Sequence, residues 1–439
     1  MRTFFILILI FFLFPTLSFS KQEINQNQAT IGVVDSIIII GNNKTKAFVL
    51  LQEIKITTGD TLTQALIEDT KNRLYNLQLF NSVDIFTYPK ENKHYDVIIQ
   101  VSERWFIYPI PIFGIKDHNW KKLYFGLGLL NTNFRGMNEK TFLFGTLGYE
   151  PSLQLFYRTP NLKIIKGGFL EFTLSLLKAE NRSINVPYLT KNFNIVNYNT
   201  HLTLGKRLNL HQDIWINIGY QLLKVDKEFS RATLNPSGID NLPIFGIGYK
   251  YDTRDLNDFT MRGTFFSYQL NKYGLFQENI NYAKNYFDFR RYIPLLKKIT
   301  FAFRNYLVLS HGKKIPSYSL SHLGYSEKIR GHFTEIFEGE NVLTASSEFR
   351  IFVIEPKYFN IEFIPLPEFS TWKFGIAAVL FGDAGKVWYN KEQFKWTNLK
   401  KGYGIGVNFI LPYHLVFRIE YAFNEYNKKE FIFDLYSSF

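Results

Sequence analysis

The sequence predicts a mainly β protein: a 16-stranded transmembrane antiparallel β-barrel over residues 104–439, preceded by one small β-α-α-β-β domain over residues 31–103. Three observations predict it. Downstream of residue 104, segment after segment alternates apolar and polar side chains with a period of two. The chain carries 45 Phe, 27 Tyr and 6 Trp, 18% aromatic, yet its mean hydropathy is only −0.10. Residues 1–20 have the layout of a secretory signal peptide: Arg2, an apolar core from Phe4 to Phe14, then Ser18 and Ser20 as small residues at −3 and −1 before Lys21.

Composition excludes several classes. The aromatic load is incompatible with disorder. No apolar run of 18 or more residues occurs beyond the N-terminus, which argues against a helical membrane protein. With no cysteine there are no disulfides, thiolate metal sites or cysteine nucleophiles. Lys and Arg outnumber Asp and Glu, 51 against 38, but export disfavours a nucleic-acid partner. The charge divides near Glu103: residues 31–103 hold 7 basic and 9 acidic residues, whereas residues 104–439 hold 42 and 28. That basic excess suits a wet lumen and anionic outer-membrane lipids.

In the small domain, residues 33–40 are a β-branched run closed by Gly41-Asn42, a strand and turn. Residues 45–53 and 63–75 read as helices; Leu66, Ile67, Leu74 and Leu77 recur near helical spacing in the second. Residues 83–87 and 95–101 read as strands joined by a polar hairpin. Each helix is expected to cover one sheet face, leaving an edge open to an added strand. Ile40-Gly41-Asn42 with Thr45, Gly59, the 79–83 segment and the run from Val97 to Glu103 resemble a polypeptide-transport-associated (POTRA) domain. The resemblance implies a periplasmic module that receives client chains, partly by strand addition.

The barrel strands are expected near 105–114, 121–131, 140–149, 152–159, 168–178, 196–206, 214–225, 243–253, 263–273, 285–294, 299–310, 342–353, 372–384, 402–411, 414–424 and 430–439. An even count suits a bacterial single-chain barrel. In the penultimate strand Leu415, Phe417, Ile419, Tyr421 and Phe423 share one face, and Val416, Arg418, Glu420, Ala422 and Asn424 the other. Phe301, Phe303, Leu307 and Leu309 likewise alternate with Thr300, Ala302, Arg304 and Tyr306. An apolar outside and a polar inside fit lipid around a wet lumen. In the last strand Phe431, Phe433, Leu435 and Phe439 are expected on one face. The terminal Phe439 resembles the recognition signal of outer-membrane barrels.

A long strand-free interval, 311–341, contains Ile329-Arg330-Gly331-His332-Phe333. Later come Val379-Leu380-Phe381-Gly382-Asp383 and Gly402-Tyr403-Gly404-Ile405-Gly406. With Tyr251-Asp252-Thr253-Arg254-Asp255 and Met261-Arg262-Gly263, this ordered set resembles the BamA-like surface-antigen superfamily. The resemblance implies a loop folded back into the barrel, with the Arg330-Gly331 tip against the inner wall and Asp383 and Glu348 as acceptors of Arg330. Strand parity by itself places Glu348 opposite Phe349, Ile351 and Val353, hence in the lumen. Asp383 shares parity with Val379 and Phe381, which leaves its direction open. The family usually has an aromatic residue directly after the glycine. Here His332 intervenes, either as a flat substitute or with the tip shifted by one residue.

No chemical site emerges. The run Gly402-x-Gly404-x-Gly406 lacks the spacing and following helix of a phosphate loop, and glycines in a tightly curved strand explain it better. The eight histidines lack metal-ligand spacing, no G-x-S-x-G elbow occurs, and no enzyme, metal or cofactor is expected. The resemblance implies protein insertion, assembly or translocation at the bacterial outer membrane, with unfolded outer-membrane or exported clients and accessory lipoproteins as partners. The alternative is a dedicated secretion pore or a passive channel. Secretion pores of related type usually carry two POTRA domains and a plug helix, for which residues 21–30 are too short and polar. A single POTRA domain fits a specialised paralogue with few clients. Pro109 and Pro111 each remove a backbone donor from the first strand, so a weak seam is expected between it and the last.

Overall fold

The computed structural model describes residues 30–115, 120–181, 183, 193–277, 279–361, 363–364 and 367–439; the signal peptide expected at 1–20 lies outside them. The N-terminal domain consists of β1 (Thr30–Ile40), α1 (Ala47–Leu51), β2 (Thr61–Thr63), α2 (Gln64–Asn76), β3 (Phe80–Pro89) and β4 (His94–Glu103). The sheet runs β2-β1-β4-β3, with β1 and β4 parallel and the other pairs antiparallel.

The β-α-α-β-β order thus gains a strand. β2 has only three residues and runs straight into Thr63, whose hydroxyl accepts from the Leu66 N–H and caps α2, so sequence pattern merges it with the helix start. The expectation of one helix per sheet face is also corrected. Leu50 of α1 and Leu74 of α2 lie in a single buried cluster with Val34, Val83, Val97, Ile99 and Val101. Both helices therefore cover one face, since a domain of this size closes one core. On the other face Phe86, Ile98 and Ile38 stand in one row across β3, β4 and β1, with Phe86 and Ile38 exposed.

The barrel strands are β5 (Ile107–Ile115), β6 (Leu123–Phe134), β7 (Glu139–Gly148), β8 (Ser152–Leu162), β9 (Gly168–Glu180), β10 (Asn194–Asn209), β11 (Gln212–Lys224) and β12 (Ile239–Asp252). They continue with β13 (Gly263–Tyr273), β14 (Tyr282–Leu296) and β15 (Ile299–Gly312). A short hairpin, β16 (Ser321–Leu323) and β17 (Phe337–Gly339), then sits in the interval expected to be strand-free. The series ends with β18 (Asn341–Asn360), β19 (Thr371–Trp388), β20 (Lys400–Ile410), β21 (Val416–Asn424) and β22 (Lys429–Leu435). Apart from the β16–β17 hairpin, these strands form one 16-stranded antiparallel sheet.

The alternation sets the faces. Val416, Arg418, Glu420, Ala422 and Asn424 are all buried toward the lumen. Leu127, Leu143, Ile218, Ile405, Phe431 and Phe433 are exposed on the outside, the apolar band of a lipid-facing barrel. No helix among the described residues is long and apolar enough to cross a membrane.

The two ends of the sheet differ from the rest. Among the described residues no backbone pairing joins β5 to β22; β5 pairs only with β6, and β22 only with β21. The last strand stops at Leu435 instead of reaching 439, because Tyr436 turns the chain in the left-handed region at φ +71°. Phe439 consequently leaves the outer row of Phe431, Phe433 and Leu435. It is 5% exposed, packed inside against Tyr292 and Ala302.

The N-terminal domain lies across the barrel end at which β5 begins, here the proximal rim. Its contacts reach turns spread around the circumference. Asn133 donates to Thr45 Oγ1 at 2.9 Å, Arg207 meets Glu53 at 2.5 Å, and Arg73 donates to the Leu210 carbonyl at 3.3 Å. Asn76 donates to the Asp255 carbonyl at 2.8 Å, and Arg262 meets Glu68 at 3.0 Å. Like the Asn133–Thr45 bond, a further contact is buried: Lys373 Nζ lies 2.9 Å from Asp258 and 3.3 Å from the Tyr75 hydroxyl, with the His414 ring 4.3 Å from that of Tyr75.

Candidate functional site

The interval between β15 and β18 folds inward. Leu323 and Ile329 pack with Val308 and Val342 of the wall, and Phe337 lies against them. A first polar arm holds the loop on one side: Arg304 of β15 pairs with Glu327 at 2.9 Å and with Asp288 at 2.8 Å. The inward parity of Arg304 was legible in sequence; Glu327 was not, because a loop residue has no strand period to place it.

The tip makes the second arm. Arg330 is 3% exposed. Its Nε and Nη2 each donate to Asp383 at 2.7 Å, a bidentate fork, and its backbone N–H donates to the same carboxylate at 3.1 Å. Nη1 donates to Glu348 at 2.6 Å and to Glu420 at 3.1 Å. The guanidinium lies 3.7 Å from the Phe381 ring centroid, a cation–π contact. Arg350 braces Glu348 at 2.8 Å, and Arg418 braces Glu420 at 2.8 Å. Three buried carboxylates thus face three arginines, so the charges in the dry wall balance.

The residues singled out in sequence therefore converge: Arg330, Gly331, Glu348 and Asp383 form one cluster. Val379, Phe381 and Asp383 all point inward, and the apolar pair faces the lumen because the tip packs on it: Phe333 lies against Val379, Phe381, Ala422 and Ile432. Glu420, Arg350 and Arg418 were missed as partners, although the inward parity of Arg418 and Glu420 was visible. Phe439 joins the edge of the cluster. Its backbone oxygen accepts from Arg350 Nη2 at 2.9 Å, and the neighbouring Ser438 hydroxyl bonds Glu348.

The backbone explains two glycine positions. Gly331 has φ +93°, which disfavours any side chain. Gly402 faces the Arg330 carbonyl so closely that a methyl group would collide with it. Of the alternating glycines of β20, Gly402 makes room for the loop tip, whereas at Gly404 and Gly406 a side chain would meet the neighbouring strands.

His332 follows the glycine, buried at 2% exposed, and Phe333 takes the apolar wall contact. His332 Nδ1 lies 2.8 Å from Glu335 and Nε2 lies 2.7 Å from Glu425. Glu430 accepts from the Gly331 and Phe333 N–H groups at 3.1 and 2.9 Å. The tip is thereby fastened to the terminal hairpin β21–β22, which borders the unpaired end of the sheet. Among the described residues no group of His, Asp and Glu is arranged to hold a metal ion.

Comparison with known proteins adds an independent line. A family model described as the Omp85 superfamily domain matches residues 133–439, and one described as the surface antigen variable number repeat, POTRA, matches residues 32–104. The outer membrane protein assembly factor BamA of Nitratidesulfovibrio vulgaris is 23% identical over 403 residues, covering 86% of this chain and 47% of that protein. The chain thus spans about half the length of the curated relative it matches. The solved BamA from Haemophilus ducreyi lacking POTRA domains 1–3 superposes with TM-score 0.53 at 18% identity, covering 92% of this chain and 84% of that one. CdiB from Escherichia coli gives TM-score 0.55 at 13% identity, covering 93% and 76%. At such identities these two likenesses concern the fold.

Proposed function

This chain belongs to the Omp85 superfamily, and we propose that it inserts or translocates unfolded proteins at the bacterial outer membrane. In this reading the N-terminal domain lies in the periplasm under the proximal rim and captures a client segment. The client then passes to the seam between β5 and β22. No covalent step is needed, and the lumenal cluster serves as a lock rather than a catalytic site. Clients are unfolded outer-membrane or exported chains, with outer-membrane lipids around the barrel and accessory lipoproteins as further partners.

One observation carries the reading: the 16-stranded sheet has two ends that share no described backbone pairing. Unpaired N–H and C=O groups are costly in lipid, and an incoming strand would satisfy them. Pro109 and Pro111 in β5 and the seven-residue length of β22 both limit how fully the ends could pair with each other. Cysteines introduced at Tyr108 and Leu435 test this. Incomplete crosslinking in the resting protein, and loss of client insertion when the bond is driven to form, are expected. Full crosslinking with full activity refutes the seam. Depletion in the native bacterium with outer-membrane proteomics separates the modes: many barrels lost indicates general insertion, one exported protein lost indicates dedicated translocation, and impaired solute uptake alone overturns both.

A further inference from the structure

We infer that His332 is a positioning residue, a charged strap that fixes the terminal hairpin β21–β22 to the loop tip when its ring carries two protons. A neutral imidazole donates from one nitrogen and accepts at the other. Here both nitrogens face carboxylate oxygens, Glu335 at 2.8 Å and Glu425 at 2.7 Å, neither of which has a proton to give when ionised. Only the imidazolium satisfies both. Ring and partners come from different elements: His332 and Glu335 from the loop, Glu425 from the turn between β21 and β22.

The surroundings reinforce the strap. Lys428 of the same turn meets Glu335 at 3.2 Å, and Lys400 at the start of β20 lies 3.9 Å from Glu425. Glu430 of β22 holds the Gly331 and Phe333 N–H groups, and the Phe337 ring of β17 stands edge-on to His332 at 5.9 Å. Glu335 has its carboxyl held below the ordinary range, first by the bond from His332. Glu425 is lowered too: burial opposes this, but the His332 bond and the Lys401 backbone N–H outweigh it. The carboxylates therefore stay charged into mildly acidic conditions. Histidine is the side chain whose ordinary charge change falls between about pH 5 and 8. A ring with a single proton leaves one of the two carboxylates without its donor, and the strap loosens.

The inference rests on the seam reading only for its consequence, and the experiment separates the two. The chain has no cysteine, so spin labels attach only where cysteines are placed. Tyr325→Cys with Tyr426→Cys reports loop against hairpin; Phe113→Cys with Phe433→Cys reports across the seam. Distances are measured in the full barrel in lipid from about pH 5 to about 8. The expected result is a short loop–hairpin population that declines as pH rises, and that is diminished and pH-insensitive in His332→Phe. Glu425→Gln, which keeps the ring, should also lose the pH response and serves if His332→Phe does not fold. An unchanging wild-type distance, or a wild-type pH response in either variant, overturns the strap. If the loop–hairpin distance responds while the seam distance stays fixed in active protein, the strap stands and the seam reading falls.

Discussion

Replacing Arg330 with Met should release the loop tip without unfolding the barrel. Arg330 is in contact with Asp383, Glu348 and Glu420, whose side chains are 2%, 1% and 1% exposed. With Arg350 and Arg418 in place, removal leaves one uncompensated negative charge in the dry wall. Breaking a buried pair by deleting one partner costs about 3–5 kcal/mol. That cost falls on the docked tip, because the strand ladders are untouched. At about 1.4 kcal/mol per tenfold, the detached population should rise by roughly 10²- to 4 × 10³-fold. Ile329→Cys, at a position 1% exposed in the docked tip and in a chain with no other thiol, allows maleimide labelling to read tip release. Labelling should accelerate by that factor while heat-modifiable migration shows an intact barrel. A second variant, Arg330→Met with Asp383→Leu, should recover much of the loss by restoring charge balance. A labelling rate within about threefold of the parent, less than 1 kcal/mol, would refute the reasoning.

Three further outcomes follow from other contacts. Gly402→Ala should displace the tip through collision with the Arg330 carbonyl, giving faster Ile329→Cys labelling with every charge retained. Arg350→Ala should free the segment after Tyr436, because Arg350 holds the Phe439 backbone oxygen; a spin label at Ser437→Cys should become mobile. At the proximal rim, burial pushes the His414 imidazolium down to about 4, against the attraction of Asp258. The folded state then resists protonation that the released state accepts, so docking is fully stable above the ordinary histidine value and loses roughly 3 kcal/mol as pH falls toward 4. Protease cleavage between residues 103 and 107 should increase over that range, and His414→Gln should flatten the dependence.

The architecture was legible wherever one residue in two had to face lipid. All 16 wall strands show in the period of side chains such as Phe417, Ile419 and Tyr421. Legibility failed where the period stops. β2 is three residues long and abuts a helix cap, the β16–β17 hairpin lies inside a loop, and the turn at Tyr436 depends on a backbone angle that no side-chain pattern reports. At the lock, Arg330, Glu348 and Asp383 were identified through a resemblance. Glu420 was assigned to the lumen by parity but not to Arg330, because neighbours across a sheet follow from register. Glu327 and Glu425, on loops, had no register to reveal them.

The contacts beneath the barrel are graded, and the gradation sets an order of events. The ion pairs of Glu53 with Arg207 and of Glu68 with Arg262 are partly solvated, and salt screens such pairs. Lys373 with Asp258 is sealed from water, their side chains 5% and 0% exposed. The Asn133–Thr45 bond at the end of β6 is buried as well. Any swing of the N-terminal domain should therefore begin where its bonds are wet and turn about the two dry contacts. Tyr75, Lys373 and Asp258 would form one hinge pin and Thr45 with Asn133 the other, and the first gap would open beneath Arg207 and Arg262.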